Sequence, residues 1–167
     1  GTSRAILWRP ETGISALESL GFNNTRASGI SDDGEVIVGF TQGNFDRTPA
    51  VWNASTGLAD PQYPLDLDVV GELWAATPDG RTVAGQWGRE DVTGFTVPAM
   101  YWNADEGVKL IGWLDDDEYA QAYDISADGR TIVGYAGTAL TGRGASSWAP
   151  EKGTEKPAAW LVADGAR

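Results

Sequence analysis

The chain has 167 residues, enough for one buried core, with 12 Lys and Arg against 24 Asp and Glu and a net charge of −12. That balance argues against nucleic-acid backbones and anionic membrane surfaces, which select clustered cations, so no nucleic-acid partner is expected. With no Cys and no His, disulfides, thiolate and imidazole metal sites and Ser-His or Cys-His catalysis are excluded, and no apolar run approaches the roughly 20 residues of a membrane span.

In chain order the sequence reads as short strands bounded by Gly, Asp and Pro, with no convincing helix. Ala5-Ile6-Leu7-Trp8 is a strand, Gly13 closes its turn, and residues 14–17 make a second strand. Ile30-Ser31-Asp32-Asp33-Gly34 then turns into Glu35-Val36-Ile37-Val38-Gly39, a hairpin whose turn needs the positive φ that Asp-Gly supplies. Trp52 and Gly57 repeat the first pattern, although Asp60-Pro61-Gln62-Tyr63-Pro64 blurs the strand after it; the hairpin returns at Thr77 to Gly85. Trp102 and Gly107, a strand over 108–113, and the hairpin from Ser126 to Gly134 make the third copy, and Trp160 with Gly165 opens a fourth.

Two signatures therefore alternate: Trp-x-x-x-x-Gly and Ser/Thr-x-Asp-Gly-x-x-Ile/Val-Val/Ala-Gly. The Trp precedes the Asp-Gly glycine by 26, 28 and 27 residues. So constant a spacing in otherwise drifting sequence marks a stacked or ring-arranged unit, since one such unit cannot bury its apolar face alone. The Asp-Gly positions at 33, 79 and 128 lie 46 and 49 residues apart, the length of a propeller blade. The expected fold is all-β, a β-propeller-like array of three four-stranded repeats plus one extra strand, with a β-trefoil as the alternative. The chain reads as one repeat domain over 1–167, with repeats near 5–48, 49–97 and 98–156 and a partial one at 157–167. The extra strand around Trp160 speaks against a closed three-fold barrel. Its bare edge predicts self-association.

A two-residue Asp-Gly loop would pair Ile125 with Ile132, Ala76 with Val83 and Ile30 with Ile37. One step further it sets Tyr123 over Gly134, Trp74 over Gly85 and Ser28 opposite Gly39, so that rings cover two of the glycines. The connection from the Val-Gly glycine to the next Trp varies, at 13, 17 and 26 residues (39 to 52, 85 to 102, 134 to 160). Such insertions commonly line one face of a repeat protein, often the binding face.

Trp87, Trp113 and Trp148 break the repeat and are the candidate ligand-binding residues, because a Trp face suits sugar C–H surfaces or a cation. Asp115-Asp116-Asp117-Glu118 is the densest acidic run. A Ca²⁺ held by Asp115, Asp117 and Glu118 would relieve its repulsion, although the spacing fits no calcium loop and a solvated loop explains it as well. No other cofactor is expected. Asp66 and Asp68, read as facing the same way on a strand, could flank a glycosidic bond as acid and base.

The quoted residues resemble the HAF repeat of bacterial extracellular proteins. In that family an Ala-Phe-x-Trp strand, a Leu-Gly segment and an Ala-x-Ile-Ser/Asn-x-Asp-Gly-x-Val-Val-Gly hairpin alternate. Pro49-Ala50-Val51-Trp52, Ala99-Met100-Tyr101-Trp102 and Pro157-Ala158-Ala159-Trp160 are similar to the first part, Ser19-Leu20-Gly21 to the second, and Asp124-Ile125-Ser126-Ala127-Asp128-Gly129 to the third. The His that names the family is missing from every copy. The resemblance implies propeller-like blades in a secreted or bacterial cell-surface protein, including autotransporter passengers. It implies no general activity, so no catalytic residue is carried over. The expected function is a non-catalytic extracellular repeat domain for adhesion or for binding a glycan or other cell-surface partner. Two alternatives are an assembly module of a larger passenger, completed by oligomerisation, and a glycoside-active enzyme using carboxylates alone.

Overall fold

The computed structural model describes residues 1–156, apart from 44, 45, 65, 67, 92, 93, 113–118 and 139–141. Those residues form strands joined by turns, with no helix among them. The strands are β1 (Ile6–Arg9), β2 (Gly13–Ala16), β3 (Asn24–Ile30), β4 (Val36–Gln42), β5 (Arg47–Asn53), β6 (Val70–Ala76) and β7 (Thr82–Asp91). They continue as β8 (Gly94–Thr96), β9 (Ala99–Asn103), β10 (Gly107–Gly112), β11 (Tyr119–Ile125), β12 (Ile132–Thr138), β13 (Gly142–Ala149) and β14 (Gly153–Glu155).

Four antiparallel sheets result: β1-β2, β3-β4-β5, β6-β7-β9-β10 with β8 paired off β7, and β11-β12-β13-β14. Each full sheet is a meander that starts with the Ile-Ser strand, half a repeat later than a unit counted from the Trp. The β3-β4-β5 sheet has no fourth strand among the described residues. Among the described residues a bridge between Trp52 and Ala59 stands there, where Pro61 and Pro64 break the run. β1 and β2 are a Trp strand and its neighbour with no Asp-Gly hairpin beside them, whereas the segment around Trp160 falls outside the described residues.

The Trp strand after β9 is β13, which corrects the reading of Trp148 as a residue outside the repeat. Trp148 stands opposite Ile132 as Trp52 stands opposite Ile37 and Trp102 opposite Val83. Gly153 follows it at the repeat spacing with φ +75°, like Gly57 and Gly107 at +70°. On this count the connection from Gly134 shrinks from 26 residues to 14.

The hairpin register holds near the turn and shifts beyond it. Ile30↔Ile37, Ala76↔Val83 and Ile125↔Ile132 pair as expected. A β-bulge then intervenes in all three copies, between Ala27 and Gly29, Leu73 and Ala75, and Ala122 and Asp124. Gly39, Gly85 and Gly134 consequently face Ala27, Leu73 and Ala122, not Ser28, Trp74 and Tyr123. The bulge residues turn to the neighbouring sheet instead: Trp74 and Tyr123 meet edge to face at 5.3 Å. The turns are four-residue loops, not two-residue ones. Ser126 N–H donates to Thr131 O at 2.8 Å and Gly129 N–H to Ser126 O at 2.8 Å, with positive φ at the glycine alone.

The core sits between the sheets. Ala5 and Leu17 pack with Ile37, Ala50 and Trp52; Val38 and Val51 with Val83, Met100 and Trp102; Ala84 and Ala99 with Ile132, Ala136 and, partly buried, Trp148. Because side chains alternate along a strand, each sheet presents its Trp to the preceding sheet and a Val or Ala face to the next. Trp52 is fully buried and its indole N–H reaches Glu18 O at 3.0 Å, so Trp52→Ala costs about 3–5 kcal/mol. At the two ends this alternation has no partner among the described residues. Ile6, Trp8 and Ile14 are 56, 62 and 69% exposed on β1-β2, and Val133 is 45% exposed on the last sheet.

Candidate functional site

The motif carboxylates are tied to their own turns. Ser31, Thr77 and Ser126 donate their hydroxyls to Asp33, Asp79 and Asp128 at 2.5, 2.8 and 2.7 Å. The same hydroxyls accept the amides of Val36, Thr82 and Thr131, while each carboxylate takes an amide two residues on. The hydroxyl bond, then the amide bond, holds all three carboxyls below the usual 3.8. In the Trp turns Asn53 and Asn103 accept the amides of Ser55 and Glu106 at 3.0 and 2.8 Å. The recurring polar residues are thus turn formers.

Between the second and third full sheets these two kinds of turn meet along a groove of about 340 Å³. Tyr101 of β9 and Trp148 of β13 lie 5.2 Å apart with their planes tilted by 39° and form its aromatic wall. Asp105, Glu106 and Asp128 stand on its rim. The Tyr101 hydroxyl donates to Glu106 at 2.7 Å. Burial first, then that bond, pushes the Tyr101 phenol up to about 12, and the bond holds Glu106 below its usual value. Arg81 lies 3.7 Å from Asp105, with both side chains open to solvent. An aromatic face rimmed by carboxylate acceptors suits a sugar ring or a cation.

The other expected site residues are not brought to this groove. Trp87 is half-buried against the second interface, edge-on to Tyr63 at 6.3 Å. Trp113, Asp115, Asp117 and Glu118 lie outside the described residues. Asp66 and Asp68 are on a turn and not on a strand: Asp66 accepts the Asp68 amide at 3.1 Å. Among the described residues no three Asp or Glu side chains gather as a metal site.

One polar cluster was not anticipated. Glu72, in the middle of β6, is 2% exposed and accepts Arg26, Arg47 at 2.7 Å and Ser28 at 3.2 Å. Both guanidiniums lie over the Phe40 ring, at 4.8 and 4.6 Å. Gln121, at the equivalent place on β11, donates to Gln86 at 2.8 Å. A polar row so runs from sheet to sheet along their first strands. The available sequence signal was a carboxylate inside the apolar run Val70-Gly71-Glu72-Leu73-Trp74.

No family model matches the chain and no curated protein matches its sequence. Solved structures similar to it include TolB from Acinetobacter baumannii, at TM-score 0.60 and 15% identity over 90% of this chain and 36% of that one. A TolB-assigned protein of Agrobacterium tumefaciens aligns at TM-score 0.58 and 14% identity, over 92% of this chain and 60% of that one. The chain thus spans about a third and three-fifths of the lengths of these structures. The likeness supports a propeller-like fold. Among the described residues there is no helix long and apolar enough to cross a membrane.

Proposed function

We propose that the chain is a non-catalytic, propeller-like binding segment of a secreted or bacterial cell-surface protein, and that it takes a glycan in the groove beside Tyr101 and Trp148. The observation that carries this reading is the pairing of the two rings with Glu106, Asp105 and Asp128 around a volume of about 340 Å³, within the size range of small-ligand sites. The resemblance to HAF repeats supports the location. Trp148 keeps its candidate role with a different warrant: it is a repeated core residue whose edge lines the groove.

The test is a glycan array followed by titration of tryptophan fluorescence with the sugars that bind. Sugar-dependent quenching should weaken in Glu106→Gln and Asp105→Asn while the melting curve stays unchanged, because both carboxylates are exposed. Flat titrations across the whole array sink the reading. Hydrolysis of any bound glycan sinks its non-catalytic part.

A further inference from the structure

The groove beside Tyr101 and Trp148 has a counterpart one repeat earlier, which shows what blade geometry alone requires there. Position by position, Tyr101, Asp105, Glu106 and Trp148 correspond to Val51, Ser55, Thr56 and Trp102 between the first and second full sheets. The counterpart is closed. A Cβ built on Gly80 would lie 2.4 Å from Val36 Cγ2, whereas one built on Gly129 finds Thr77 and Thr82 at 3.6 Å. Val36 thus packs onto the Gly80 turn, while Thr82 stands off the Gly129 turn. Trp102 is accordingly buried and Trp148 only partly so. The earlier interface carries one motif carboxylate, Asp79, at the place where the groove gathers Asp105, Glu106 and Asp128. The repeat therefore needs neither the Tyr101 ring nor the two added carboxylates.

Each departure moves the groove towards one ligand chemistry. A neutral sugar would draw carboxylates out of water against hydroxyl donors alone, a cost that an ammonium offsets with its charge. The ammonium also brings three donors and is attracted to an aromatic face. Both turn donors to Asp128 go to Oδ1, so Oδ2 can accept from a ligand. Arg81 and Arg130 do not neutralise the rim: they sit 3.7 and 3.8 Å from Asp105 and Glu151 in solvent-exposed pairs, where such contacts are weak. We propose that the groove selects an amino sugar, a glycan whose hexosamine carries a free ammonium, over its N-acetylated and neutral counterparts. This rests on the glycan reading and specifies its ligand.

The probes are a tetramer of β-1,4-linked glucosamine, its fully N-acetylated form and a β-1,4-linked glucose tetramer. Each is titrated against the 167-residue protein by tryptophan fluorescence at mildly acid pH, where the amine is charged. The glucosamine tetramer should bind at least about tenfold more tightly than the other two. That margin should vanish in about 1 M salt, where charges are screened within about 3 Å. Glu106→Gln and Asp105→Asn should narrow it, whereas Glu11→Gln, exposed on the β1-β2 turn away from the groove, should leave it intact. Equal binding of the three tetramers overturns the proposal and leaves the glycan reading standing. A margin that Glu11→Gln narrows as much as Glu106→Gln also overturns it, because the attraction is then to the acidic surface at large. Flat titrations with all three overturn it as well, and the glycan array then decides separately whether the glycan reading falls too.

Discussion

A methyl group added at Gly39, Gly85 or Gly134 would meet backbone: the carbonyl oxygens of Arg26, Glu72 and Gln121, each just before a bulge. Backbone cannot swing aside as a side chain can. Gly39→Ala, Gly85→Ala and Gly134→Ala should therefore each lose about 2 kcal/mol or more in denaturant melts. Gly144→Ala, whose new methyl finds its nearest neighbour at 3.9 Å, should stay within about 0.5 kcal/mol. A reading of the glycines as ring-covered makes Gly39 the mild case, because its partner would be Ser28; the bulge makes the three alike. The repeating glycine was legible in the sequence. The bulge was not, since no residue type marks it and it swaps the covering ring for a close carbonyl. Tyr63 is a second local test. Its hydroxyl is buried with no hydrogen-bond partner among the described residues, and burial raises its pKa. Tyr63→Phe should hold or raise stability, by up to about 1 kcal/mol, through loss of an unsatisfied group.

The turn element carries an acid dependence whose sign follows from its hydrogen bonds. Folding lowers the pKa of Asp33, Asp79 and Asp128 below 3.8, so their contribution is complete above that value and is lost as pH falls through the folded values. Ser126→Ala takes away the largest cause at Asp128. The Asp128 carboxyl should then titrate at higher pH by NMR, and acid unfolding should begin earlier. In β6 the buried Glu72 sets up a contrast between single and double changes. Either Arg26→Ala or Arg47→Ala leaves the carboxylate one guanidinium. Removing both leaves a buried charge unpaired and should cost about 3–5 kcal/mol, more than the two single losses added. Additive losses in urea melts would contradict the triad. Strand order and turn position could be read from the alternation of Trp and Asp-Gly. The assignment of Glu72 could not, because its arginines come from β3 and β5 of a different sheet.

Across the whole molecule the blade phase was the part the sequence left ambiguous. Trp148-Ala149-Pro150-Glu151-Lys152-Gly153 and Trp160-Leu161-Val162-Ala163-Asp164-Gly165 share one spacing, and only the pairing of Ile132 with Trp148 chooses the first. That choice puts Trp148 on a repeated strand and takes it from the loop to the groove. It also leaves the aromatic wall readable only after folding, because Tyr101 and Trp148 belong to separate repeats. The direction of packing, Trp face onto Val or Ala face, is the same at every interface. Among the described residues, interior sheets are clamped on two sides and the outermost ones on one, so opening free energy should be graded along them, not uniform. Amide hydrogen exchange should be slowest in β6 and β7 and fastest in β1 and β2. Seen as kinetics, the array is a zipper that opens from its ends, and whatever caps an end slows every opening behind it.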